Sequence, residues 1–176
     1  IVGLYIPFNA ASDEAPSGVT DFSVQADENG LLQATLSWTN PVTTFGGDPL
    51  TSLERVDIYR DNEVIYTIEN PEPGTSHSYT DEISGTSGCL VVYKVVPVNQ
   101  AGNGVSTEAK IYVGRDVPAA VNSLTLQKEK SDRIRLSWRA PVTGLHGGWV
   151  NFPSLSYRIV RLPDSTVIAD RITDTE

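Results

Sequence analysis

The chain is poor in the side chains that carry most protein chemistry: one cysteine, no methionine and two histidines in 176 residues. The lone Cys89 excludes any disulfide within the chain, and its place in Cys89-Leu90-Val91-Val92 reads as a small buried hydrophobe. His77 and His146 lie far apart, with no cysteine or second histidine at metal-ligand spacing. Gly-x-Ser-x-Gly, a Gly-rich phosphate loop and His-Glu-x-x-His are all missing, so the expectation is no catalytic residue, no metal and no cofactor. Paired acids at Asp27-Glu28 and Asp81-Glu82 read as solvated turn tips rather than calcium ligands. No apolar run approaches the ~20 residues of a membrane helix, which argues against membrane insertion within this segment. The start, Ile1-Val2-Gly3-Leu4, lacks the basic flank of a signal peptide, and no Asn-x-Ser/Thr acceptor is present. Basic residues are also few, 13 against 22 acidic, and a net charge of −9 excludes nucleic acid as an expected partner.

What the chain does contain is a repeat. Ala34-Thr35-Leu36-Ser37-Trp38-Thr39-Asn40-Pro41 returns as Ile134-Arg135-Leu136-Ser137-Trp138-Arg139-Ala140-Pro141. A Leu-Ser-Trp-x-x-Pro-Val-Thr match one small-domain length apart implies duplication of a unit. The divisions are residues 1–15 as the tail of an upstream domain and linker, 16–114 as a first domain, and 115–176 as a partial second one. Charge follows the same division: residues 16–114 sum to −9, residues 117–176 to +2.

Short alternating runs separated by turn formers give both units the period of half-buried strands, so the fold class is all-β. In the first unit strands are expected at 20–24, 32–38, 55–60, 64–68, 76–80, 90–99 and 107–113. Asn29-Gly30 and Asp61-Asn62 mark turns, and Pro97 marks a bulge or frayed end. The second unit restarts with strands at 122–127, 134–138, 155–161 and 166–168. It then lacks the counterparts of 90–99 and 107–113, so it cannot close its own sandwich. The apolar opening, residues 1–8, is strand-like without a home in the first unit. Either the native protein continues past Glu176 or strands of another copy complete the second unit, and residues 1–8 of a neighbour supply at most one of them.

These residues resemble the fibronectin type III family. The points of similarity are Pro16 and Pro118 opening each unit, the Leu-Ser-Trp-x-x-Pro strand, Val56-Asp57-Ile58-Tyr59-Arg60, and Tyr93-x-Val95-x-Pro97-Val98-Asn99-x-x-Gly102. The resemblance implies an immunoglobulin-like β-sandwich in two tandem units, the second incomplete. It implies a structural core of Leu36, Trp38, Ile58, Tyr93, Val95, Leu136 and Trp138. The family's tyrosine-corner position is occupied here by Val91, which puts the corner hydrogen bond in doubt. The Gly-Asp-Pro-Leu loop and the Tyr59-Arg60-Asp61-Asn62 hairpin look like those of bacterial secreted and cell-surface proteins. The implied role is a non-catalytic spacer or interaction module outside the cell, whose partners are other domains of the same polypeptide, an extracellular protein or a glycan.

Two features stand out as candidate sites. The loop after Pro141 is two residues longer than its counterpart and carries Leu145, His146, Trp149 and Phe152, a binding loop or a packing surface for the neighbouring unit. Lys128, Lys130, Arg133, Arg135 and Arg139 form a basic surface, with the three arginines opposite Leu136 and Trp138 on an alternating strand. It is either a solvated sheet face or a meeting point for an acidic partner. The linker 113–118 is expected to be short and extended, with a limited interface between the units.

Overall fold

A computed structural model describes residues 12–130 and 132–175, and the strand expected at 1–8 lies outside the described residues. Among the described residues all regular structure is β apart from one 3-10 turn, Phe152–Ser154. In the first unit β1 (Thr20–Ala26), β2 (Gln33–Thr39) and β5 (Ser76–Glu82) form an antiparallel sheet in the order β1-β2-β5. The second sheet orders β4 (Glu63–Glu69), β3 (Arg55–Arg60), β6 (Cys89–Asn99) and β7 (Gly102–Asn103), with β8 (Thr107–Val113) also paired to β6. The expected strands are all present, extended by one or two residues at several ends.

Alternation decides which faces meet. Ala34, Leu36 and Trp38 point inward from β2, and Val56 and Ile58 from β3 face Val91, Tyr93 and Val95 of β6 in one buried cluster. Trp38 is 1% exposed, and its indole N–H donates to Asn40 Oδ1 at 3.2 Å. Asp61 and Asn62 both adopt positive φ, 48° and 73°, which gives the β3–β4 hairpin the primed turn that matches strand twist.

Pro97 does not end its strand. It lies buried opposite Val56, and β6 runs on to Asn99. Glu54 N–H bonds the Val98 carbonyl toward β3, whereas the Pro97 carbonyl faces away and accepts from Gly104. The missing proline N–H therefore points away from β3, past the last β8 pair of Val95 with Thr107 and toward Gly104 beside β7, so the ladder between β3 and β6 loses no bond.

The second unit consists of two hairpins, β9 (Asn122–Lys130) with β10 (Arg133–Arg139), and β11 (Tyr157–Arg161) with β12 (Thr166–Ile172). They face each other through Trp138 and Tyr157, edge to face at 5.1 Å. Thr175 accepts a hydrogen bond from Trp138 N–H, just where a counterpart of β5 would begin beside β10. Nothing described covers the rest. Leu124, Leu126, Ile134, Val167 and Ile168 are all more than half exposed, and one edge of β11 is unpaired among the described residues. The Trp138 indole N–H is buried without an acceptor among the described residues, because Ala140 stands where the first unit has Asn40.

Candidate functional site: the joint between the units

The candidate loop and the linker meet at one place, the end of the first unit formed by the β1–β2 turn and the loop before β6. The β1–β2 turn is built by Asp27, whose Oδ1 accepts from the N–H groups of Asn29 and Leu31, with Gly30 at a φ of 74°. Trp149 lies over that turn. A methyl group on Gly30 would fall 2.7 Å from the indole, so the glycine is required both for its backbone angle and for the ring's approach. The Arg115 guanidinium stands 5.7 Å from the indole centroid. Gly88 likewise leaves room for the Arg115 carbonyl and the Tyr112 ring.

Backbone pairing fixes the linker. Arg115 bridges Trp149 in parallel, Asp116 N–H donates to the Trp149 carbonyl at 2.7 Å, and Leu145 N–H donates to Val117 at 2.8 Å. The Asp116 carboxylate is fully buried at the centre and accepts from His146 N–H at 2.7 Å and Gly148 N–H at 3.0 Å. His146 Nδ1 lies 2.9 Å from its other oxygen. The His146 ring stacks on Tyr112 of β8, centroids 5.0 Å apart. Withdrawal from water pushes the Asp116 carboxyl upward, but hydrogen bonds from the His146 side chain and from the His146, Gly148 and Val117 backbone outweigh it and hold it below the usual carboxylate range. The linker is thus short, as expected, and it is also pinned by side chains from both units.

The predicted loop residues separate by position. His146 and Trp149 belong to the joint, Leu145 is exposed beside it, and Phe152 sits exposed on the 3-10 turn, where it lines a separate opening with Pro141, Val142 and Leu155. No family model matches the chain. Beside the joint lies an open cleft of about 730 Å³ lined by Leu32, Gly85, Ser87, Tyr112, Arg115 and His146. Among the described residues no three histidine, cysteine or acidic side chains gather as a metal centre needs.

Elsewhere the basic surface is dispersed along β9 and β10. Lys128, Lys130, Arg133, Arg135 and Arg139 are all exposed, and Arg135 pairs with Glu129 at 2.7 Å. The core residues Leu36, Ile58, Tyr93 and Val95 are fully buried and Trp138 is 7% exposed, while Leu136 is only half-buried in the open second unit. His77 belongs to β5, stacks on Trp38 and lies 3.2 Å from Asn40 Nδ2.

The reading of Asp81 as a solvated turn acid is corrected. It lies within β5, 4% exposed, and accepts both Arg60 Nη1 at 2.9 Å and the Tyr93 hydroxyl at 2.8 Å. Burial, then Asp81, pushes the Tyr93 phenol well above its ordinary value. The Tyr93 hydroxyl thus finds a carboxylate across the sandwich. The sequence signal was weak: alternation from Ser76 places Ser78, Thr80 and Glu82 on one face and His77, Tyr79 and Asp81 on the other, which marks Asp81 as inward-facing.

Proposed function

We propose that the chain is a non-catalytic tandem fibronectin type III fragment of an extracellular or cell-surface protein, bacterial in type, that serves as a spacer and interaction module. The observation that carries this reading is the joint. The loop that would otherwise be free to bind commits its tryptophan and histidine to the neighbouring unit, which favours holding two modules in a fixed relation. The paired antiparallel sheets around Trp38 support the immunoglobulin-like assignment. The test is nuclear relaxation of backbone amides in both units. A spacer joint gives one common tumbling time, and Trp149→Ala separates it into two; units that tumble independently in the parent chain refute the reading.

The cleft beside the joint favours a second reading, a carbohydrate- or protein-binding module, since Arg115 and the half-exposed His146 flank an opening of ligand size. A glycan and protein array distinguishes the two. Binding on the parent chain that is abolished by Arg115→Ala or His146→Ala, which line the cleft, supports the module, and an array without hits on the parent chain leaves the spacer.

A further inference from the structure

The turn beneath Trp149 contains a dipeptide with chemistry of its own. Asn29-Gly30 is one of two Asn-Gly pairs in the chain, the other being Asn103-Gly104. Where glycine follows asparagine, no Cβ screens the glycine nitrogen and the backbone turns freely, so that nitrogen can reach and attack the asparagine side-chain amide. Asn40 and Asn70 precede prolines, which have no N–H to react.

The two Asn-Gly pairs are held in different ways. Asn103 is extended in β7 opposite Val98, and Gly104 N–H donates to the Pro97 carbonyl at 2.8 Å while its α-carbon packs against Pro16. All of these restraints lie within the first unit. Asn29 is exposed at the tip of its turn, and the adjoining Gly30 is buried. Gly30 N–H makes only a long bond, 3.2 Å, to the Asp27 carbonyl. What stands over its α-carbon is the Trp149 indole of the second unit and Arg115 Cγ of the linker. The restraint on this pair is therefore the joint.

We propose that Asn29-Gly30 is a deamidation site kept closed by the seated Trp149, and that its conversion to isoaspartate releases the joint irreversibly. The Gly30 nitrogen gives up its proton to hydroxide and forms a bond to Asn29 Cγ. The Cγ–Nδ2 bond breaks, and ammonia leaves with a proton taken from water. Water then opens the resulting five-membered imide. Cleavage at Cγ gives aspartate, whereas cleavage at the original peptide carbonyl gives isoaspartate, whose main chain runs through Cβ and Cγ. Ring closure requires Gly30 N–H to leave Asp27 and the backbone between residues 29 and 30 to rotate. With the indole 2.7 Å from where a Gly30 methyl would stand, that rotation is blocked until Trp149 lifts. Isoaspartate lengthens the main chain by one carbon, about 1.5 Å, between two N–H groups that share Asp27 Oδ1, those of Asn29 at 2.8 Å and Leu31 at 3.0 Å. The turn then loses that shared acceptor, and Gly30 shifts from the place to which the indole is fitted.

The test compares the 176-residue chain with its Trp149→Ala variant, both incubated at mildly alkaline pH, with peptide mapping by mass spectrometry to follow Asn29 and Asn103 separately. Asn29 should react about fivefold or more faster in the variant, because the rate follows the population of the opened joint, while Asn103 keeps one slow rate in both. The isoaspartate form, separated by ion exchange, should tumble as two bodies in amide relaxation. Asn29→Asp, which adds the charge without the extra carbon, should tumble as one. Equal Asn29 rates in parent and variant overturn the proposal, and if that parent still tumbles as one body the spacer reading survives. Acceleration of Asn103 alongside Asn29 traces the effect to a loosened first unit and overturns it too, as does an isoaspartate form that keeps a single tumbling time.

Discussion

Trp38 and Asp81 show opposite relations between a residue and its sequence context. Trp38 is the largest fully buried side chain, and its position on an alternating strand was enough to place it in the core. Trp38→Ala should cost about 3–5 kcal/mol, and a chemical denaturation midpoint that barely moves would contradict its place there. Asp81 looked like one of many surface acids, because charge alone does not reveal that two donors from the other sheet converge on it. Asp81→Ala leaves Arg60 half-buried and the Tyr93 hydroxyl unpaired, and should cost about 3 kcal/mol or more. Tyr93→Phe removes only one partner and should cost about 1–2 kcal/mol. Equal losses in the two variants would show that the hydroxyl, not the ion pair, holds the cluster.

At the scale of elements, every strand of the first unit except the two-residue β7 could be located because period-two alternation and Gly, Asn and Pro punctuation agree there. The loop around Trp149 was legible only as something unusual. Its partner surface combines Gly30, Gly88 and Tyr112, residues distant in sequence that no local pattern links. The joint has a pH signature. The Asp116 carboxyl is held below its unfolded value, so the charged form stabilises the joint above the ordinary carboxylate range near ~4, and that contribution is lost as pH falls through the lower folded value. Amides of residues 144–149 should therefore lose exchange protection on acidification before those of β2 and β6. Asp116→Asn should flatten that dependence, and an unchanged acid profile in this variant would assign the effect to other groups.

For the whole molecule the two units are unequal. Among the described residues the first has two sheets around a closed core, while the second has two hairpins with a half-buried interior. Hydrogen exchange should place the opening free energy of β9–β12 below that of β2, β3 and β6 by about 3 kcal/mol or more. Matching protection in both units in dilute solution would contradict that ordering. What the repeat could not convey is the effect of Ala140 in place of Asn40, a single change that leaves the second tryptophan's N–H without, among the described residues, the partner the first one has.

The pairing of β8 has a consequence for a chain under tension. A pull on the second unit passes through Gly114 directly into β8, which lies antiparallel to β6 over seven residue pairs, from Cys89 with Val113 to Val95 with Thr107. The force runs along the strand, so those backbone bonds are loaded together in shear rather than opened one at a time like a zipper. The Asp116 clasp, with a few hydrogen bonds to one loop, yields first, and the linker straightens while the first unit stays folded. The joint would thus act as a short extensible link in series with a stiff one.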